Sequence, residues 1–369
     1  MTAVPESIKR QIANPQPDIK QFLAVIQGKA KPTRALLAEL FADQEIMAWV
    51  FENVLGKPWV PASQNPDQMR KHLLCEIEYW YRMGYDYVRV SGGLDFPTKG
   101  RASANTAELA KNDRGWTESH GVIQNWADFE GYAWPQIKDE NLWMYHFVAE
   151  HLPEGMGLML CPTSGFLEVP CNTLVGYESL ATMIYDEPEL VRAVFDRVRE
   201  LIVGTYQRLV GIPRVVGFFQ GDDMGFLSGT LFSPEFLKSH SLPGHRALVE
   251  LAHAHGKVYM MHACGNLSTI MDYLIDQIGI DAKHSFEDKI MPVEEVYRQY
   301  GTRVALLGGL DLNFLARGDE QAVRRRTREI LNACMPGGRY ALGSGNTIAN
   351  YCIPQNVLAM FDEAYRWGR

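Results

Sequence analysis

The sequence predicts an α/β protein built as a (β/α)8 TIM barrel, with an N-terminal helical extension and a long lid-like loop. Three observations predict it. From residue 155 onward, short β-rich runs alternate with amphipathic helices, which implies right-handed crossovers and a parallel sheet. Polar, chemically capable residues collect at the C-terminal ends of those runs, where barrels of this kind carry their reacting groups. The length of 369 residues suits one large barrel. An open doubly wound sheet is the alternative, weakened because no β-run leads into G-x-G-x-x-G or a phosphate loop ending in Lys-Ser/Thr.

The first 80 residues read as a helical cap, with helices in "DIKQFLAVIQG", "TRALLAELFADQEIMAWVFENVLG" and "PDQMRKHLLCEIEYWYRMG"; residues 81–369 read as the barrel. "YDYVRVSGG" is the first strand. The stretch 92–132 is polar and Gly-rich, as expected of a lid over the barrel mouth. "GLMLCPTSG" is a strand, and a helix broken at Pro188 follows it. "RVVGFFQGDD" comes next, then a helix with Ser233 as N-cap, Pro234 in its first turn and Gly256 at its end. After "KVYMMHACG", Leu267, Ile270, Met271, Leu274, Ile275 and Ile278 share one helical face that Gly279 closes. "DAKHSFE", "RVALLGGLD" and "RYALGSGN" complete the series, with helices near 292–299, 319–334 and 354–366. That makes seven strands, and the eighth is expected within 125–170.

Net charge −8 and a balanced composition give no basic face for nucleic acid or an anionic membrane. The longest apolar runs are too short to span a bilayer, the N-terminus lacks a signal-peptide layout, and six cysteines without a C-x-x-C pair suggest buried thiols; the expectation is a cytoplasmic protein.

The predicted strand ends carry the chemistry. His262 and Cys264 are two apart, so both side chains point to one side of an extended chain and can meet one ion. A helix following Cys264 favours its thiolate, and imidazole plus thiolate suits zinc. A buried histidine bonded to a neighbour beside a structural cysteine is the competing reading. Asp222 and Asp223 are adjacent and face opposite ways: one can point inward as acid, base or ligand while the other bonds a neighbouring loop. Asp222, His284 and Glu287 are the candidate catalytic groups, with His284 and Glu287 equally suited to supporting a metal ligand. Gln220, Asp223, Asn266, Asp311, Asn346 and, from the lid, Trp116 are candidate substrate contacts.

At these residues the sequence resembles the uroporphyrinogen decarboxylase family. The likeness runs through "GFFQGDDMGFLSG…HAHGKVYMMHACGNLSTIMDYLIDQIGIDA", "LLGGLD" and "YALGSGN…IPQNVLAM", strongly over about 155–365, and "TRALLAELFAD" is similar to the family's opening region. The resemblance implies a (β/α)8 barrel and either of two chemistries. Cofactor-free porphyrinogen decarboxylases carry an R-Q-A-G-R motif that is missing here, Arg34 being the nearest basic residue. Corrinoid-dependent methyltransferases such as the methylcobamide:coenzyme M enzymes carry H-x-C-G, whose His and Cys bind zinc, and His262 and Cys264 match it. Their further cysteine, after the last strand, is replaced by Asn346; Asp222, Glu287 or Cys352 would then complete the site.

The resemblance thus implies a zinc-assisted methyltransferase that moves a methyl group between a small O- or S-methyl substrate or thiol and a corrinoid. No D-x-H-x-x-G signature is present, so the corrinoid would come on a partner protein. A metal-free decarboxylase of a tetrapyrrole-like carboxylate and a non-catalytic ligand-binding barrel are the alternatives, and a homodimer is compatible with the family.

Overall fold

Among the described residues, seven parallel strands follow one another in sequence order across a single curled sheet: β1 (Tyr87–Ser91), β2 (Gly157–Cys161), β3 (Val215–Gly221), β4 (Val258–His262), β5 (Ala282–His284), β6 (Ala305–Leu307) and β7 (Tyr340–Ala341). The computed structural model describes residues 4–98, 101–103, 105, 107–110, 114–116 and 121–368. Helices lie between successive parallel strands, the β-α-β pattern of a TIM-like sheet. The register aligns the strand ends: Gly221 pairs with His262, and His262 with His284.

Period-two alternation sorts the strands into two faces. Tyr87, Met159, Phe219, Val258, Met260, Ala282, Ala305, Leu307 and Ala341 form one buried cluster on the concave side. The intervening residues, such as Met261 and Leu306, join the larger cluster against the helices. His262 and His284 continue the inward rows set by Met260 and Ala282, and so stand one layer above that core.

The expected helix over 33–56 begins only at Gln44. Residues 36–40 are instead extended, with Leu37 bridged in parallel to Leu342 by bonds from Ala38 N to Leu342 O (2.8 Å) and from Leu342 N to Leu36 O (2.8 Å). Leu36, Ala38 and Leu40 belong to the concave cluster. The Tyr87 hydroxyl ties the same segment to β1, accepting from Glu39 N at 3.1 Å and donating to Glu39 O at 3.0 Å. The eighth stretch expected within 125–170 therefore lies at 36–40, between the two edge strands. In 125–170 the sheet contains β2 alone among the described residues.

The helix Ile19–Ile26 adds Phe22, Val25 and Ile26 to the concave cluster. Its flanks bond the residues just before three strands: Asp18 N to Asp86 Oδ1 (2.7 Å), Ile19 N to Gly155 O (2.8 Å) and Arg339 N to Val25 O (3.3 Å). It therefore fills the end of the sheet opposite His262. Within 92–132, Arg101–Ser103 pairs antiparallel with Arg114–Trp116, and Gly121 and Ile123 bond Val175 and Leu174. Among the described residues no helix is long and apolar enough to cross a membrane.

Candidate functional site

Four loops meet above the ends of β3, β4, β5 and β7. The loops after β3 and β4 are zipped together, with Gly225 N bonding Cys264 O (3.1 Å) and Asn266 N bonding Phe226 O (2.8 Å). Gly265 has φ +81°, and a Cβ there would come 2.1 Å from the Gly225 carbonyl carbon. Only glycine allows this approach, which turns Cys264 back over β4.

The predicted pair meets: Cys264 Sγ lies 3.3 Å from His262 Nε2. Asp223 joins them, its Oδ1 lying 3.6 Å from His262 Nε2 and accepting from Cys264 N at 3.1 Å. Among the described residues, these three offer an oxygen, a nitrogen and a sulfur that all lie within 4.8 Å of one another. Asn346 completes the rim, donating from Nδ2 to Cys264 Sγ at 3.1 Å.

His284 supports the group from below. Its Nδ1 lies 2.8 Å from His262 Nδ1. If His262 Nε2 keeps its lone pair for a metal, Nδ1 must carry the proton and donate it to His284. Burial, followed by the neighbouring His262 and Lys283, pushes the His284 imidazole well below its ordinary range, so it stays a neutral acceptor. Its Nε2 is buried on the side of the Ser344 backbone, which favours the protonated ring only weakly against burial. Gly308, at φ +82°, leaves room beside it, since a Cβ there would lie 3.0 Å from that nitrogen.

Burial likewise lowers the His262 pKa, with Asp223 opposing. Burial works to raise Asp223, but its contacts with His262 and Cys264 outweigh this and hold the carboxyl down to about 2. The Cys264 thiol is pushed up by burial and then by the charge of Asp223. Without a cation the site therefore holds a neutral imidazole, a carboxylate and a protonated thiol. A divalent ion would relieve all three conditions, because a coordinating thiol deprotonates. One sulfur, one nitrogen and one oxygen ligand leave a fourth tetrahedral position open, the arrangement of a catalytic zinc site. The donor set fits the ion.

Asp222, expected as catalytic acid or third ligand, is placed elsewhere. Its buried carboxylate accepts from Leu167 N (2.9 and 3.0 Å), Glu168 N (2.9 Å), His245 Nε2 (2.7 Å) and Ser241 Oγ (3.4 Å). Adjacent residues of an extended chain face opposite ways, so Asp223 is the inward member and Asp222 the loop anchor. Gln220 is also spent internally, accepting from Tyr206 Oη (2.6 Å) and donating to Gly221 O (2.8 Å) and Thr163 O (3.2 Å). Asp311 caps the helix Leu312–Arg317 through Asn313 N (2.8 Å) and holds Asp288 N (2.9 Å). Glu287 is exposed and Cys352 buried, and neither belongs to the Asp223–His262–Cys264 group. Asn266 forms a local turn with Ser268 N (3.1 Å) beside the site. Trp116 ends the short strand Arg114–Trp116.

Four contributors were not anticipated. Arg89, inward on β1, donates from Nε to Phe219 O (3.0 Å) and adds positive charge near both histidines. Lys283 is buried, and its Nζ bonds Ala263 O (3.0 Å) and Ser285 O. Burial brings its ammonium down to about 8. Ser285, a non-glycine at φ +85°, donates to Cys264 Sγ at 3.6 Å. Glu168, raised to about 8 by burial and then by the charges of Asp223 and Asp222, has its Oε2 4.0 Å from the place a Gly221 Cβ would occupy, which His262 Cδ2 approaches to 3.9 Å. The sequence signal for Arg89 and Lys283 was a charge inside an apolar strand; Glu168 gave none.

A curled parallel sheet with an imidazole, a thiol and a carboxylate converging at its C-terminal edge has the layout of a TIM-barrel enzyme. The family model described as uroporphyrinogen decarboxylase (URO-D) matches residues 160–367, more than half of the chain, and the protein belongs to that family. Among solved structures, a methyltransferase from Methanosarcina mazei is similar in fold at 18% identity and a TM-score of 0.70, over 95% of this chain and 98% of that one. A B12-independent methionine synthase from Shewanella sp. W3-18-1 aligns at 11% identity and a TM-score of 0.47, over 91% of this chain and 95% of its own. No curated protein matches the sequence.

Proposed function

We propose that this protein is a zinc-assisted methyltransferase that moves a methyl group between a small O- or S-methyl substrate, or a thiol, and a corrinoid carried by a partner protein. The observation that carries the reading is the Asp223–His262–Cys264 group, with mutual ligand-atom distances within 4.8 Å. Zinc held there would act as a Lewis acid on the substrate's oxygen or sulfur and lower the pKa of a bound thiol. His284 fixes the His262 tautomer, Ser285 and Asn346 donate to the Cys264 sulfur, and Arg89 and Lys283 add positive potential around it. The membership of a methyltransferase in the same fold class is compatible with this reading. In it, the sheet and the 36–40 segment close as a (β/α)8 barrel, the described residues of the first 80 cap it, and the described parts of the segment 92–132 cover its mouth, the rest of that segment lying outside the described residues. The chain works in the cytoplasm, and pairing into a homodimer is compatible with the site.

The family description itself favours a second reading, a metal-free decarboxylase acting on a tetrapyrrole or related carboxylate. Against it, Arg34 is bonded to Asp86 at the opposite end of the sheet and is not available to clamp an acidic substrate at the mouth. A metal assay on protein purified without a metal-affinity tag separates the two. About one zinc per chain, lost in the His262→Ala, Cys264→Ala double variant together with methyl transfer to cob(I)alamin, supports the first. Metal-free protein that consumes uroporphyrinogen overturns it in favour of the second, and a chain with neither metal nor turnover is a binding protein.

A further inference from the structure

A cavity of about 70 Å³ lies on the helix side of β5, between the segment 271–278 and the helix Val293–Tyr300. Its inner wall is Gly265, Asn266 and Ser285, so one side chain separates it from Cys264, whose sulfur Ser285 contacts at 3.6 Å. The outer wall is apolar and rich in sulfur and aromatic surface: Met271, Phe286, Ile290, Met291, Val296 and Tyr300.

The polar groups in the lining restrict what can enter. Lys283 Nζ reaches the cavity already bonded to Ala263 O (3.0 Å) and Ser285 O, and lies 4.4 Å from the centre of the Phe286 ring. Its charge repels a cation. Glu287, at the rim of the same cavity, repels an anion and already compensates the ammonium. What remains favourable is an uncharged, weakly polar molecule that sets carbon and sulfur against the methionines and one acceptor atom near Lys283 Nζ, which keeps an N–H beyond its two carbonyl partners. Size narrows this further: an engineered 150 Å³ cavity holds the six heavy atoms of benzene, so about 70 Å³ takes about three heavy atoms, with a fourth at the open rim beside Glu287. Ser285 supports a functional role, because a serine at φ +85° carries backbone strain that a purely structural turn would shed by using glycine.

We propose that this cavity, beside the Cys264 group but walled from it by Ser285, is a binding site for small neutral ethers and thioethers. It stands whether or not the chain transfers methyl groups.

The test uses full-length protein labelled at methionine methyl groups, with Met271→Leu and Met291→Leu assigning the two resonances. Titration with ethyl methyl sulfide is expected to shift both saturably, while propionate at the same concentrations does not. Val296→Phe, which fills the cavity, should weaken the sulfide at least ten-fold, and Ile290→Phe serves if that variant misfolds by circular dichroism. The proposal is overturned if neither resonance saturates, if both folded variants bind as the parent does, or if propionate saturates and the sulfide does not. A bound sulfide without methyl transfer leaves the cavity site standing and removes the reading of function. Methyl transfer without sulfide binding does the reverse.

Discussion

Asp222 and Asp223 are neighbours in sequence and opposites in environment. Around Asp222 every donor has a place: two backbone amides, an imidazole and a hydroxyl surround a carboxylate that has no solvent exposure. Even the next shell is closed, since His245 Nδ1 lies 2.6 Å from the Tyr259 hydroxyl, and a Cβ on Gly165 would meet the Asp222 side chain at 2.2 Å. Around Asp223, the imidazole, thiol and carboxylate face one another with bonding capacity in reserve for an ion. A saturated polar network builds architecture, whereas an unsaturated one at a strand end is available for chemistry. Asp222, the candidate catalytic group of the sequence, is thus the one that holds the loop.

That contrast can be broken or sharpened by substitution. Asp222→Ala strands the Leu167 and Glu168 amides and His245, and should cost about 3–5 kcal/mol of unfolding free energy, read by urea denaturation. A cost under about 1 kcal/mol would dissolve the distinction. Cys264→Ala removes no such network. It should lower zinc affinity more than about 100-fold, by competition with a chelating dye, while the metal-free protein unfolds within about 1 kcal/mol of the parent. His284→Gln disturbs the tautomer of His262 without touching the ion, and should lower zinc affinity about 10- to 100-fold. Asn346→Cys brings a second sulfur, as a fourth ligand, to a position 3.1 Å from Cys264 Sγ and should raise zinc affinity about ten-fold.

Glu39 offers a gentler check on the architectural side. It is buried, accepts from Ser344 N and Oγ at 2.6 Å each, and is raised from 4.5 to about 8, chiefly by burial. The folded state therefore keeps a proton that the unfolded chain gives up above pH 4.5. This contribution to stability is complete below pH 4.5 and falls by about 1.4 kcal/mol per unit as pH rises towards 8. Glu39→Gln should flatten that part of the profile of unfolding midpoint against pH; an unchanged slope would show that Glu39 is ionised in the fold.

The strand–helix alternation was legible because each element carried its own punctuation. Pro188 separates two helices, Ser233 caps another through Phe236 N, and Gly279 ends the 271–278 segment at φ +84°. The segment "ALLAEL" was not legible. Its leucines satisfy a helical period as well as the alternation of Leu36, Ala38 and Leu40, and only the edge of β7 decides between them. In the site, spacing alone put His262 and Cys264 on one side. It also showed that one of the two aspartates must turn inward, but not which, because the choice depends on where His245 and the Leu167 amide lie. Lys283, Ser285 and Glu168 reach the site through tertiary contacts that no spacing encodes.

The most direct test of the central claim is zinc content per chain, measured by mass spectrometry on tag-free protein, in the parent and in Asp223→Asn and Cys264→Ala. The account predicts about one zinc in the parent and little in either variant, with both variants still folded. Zinc retained in both, or lacking in a parent that still transfers methyl groups, would contradict it.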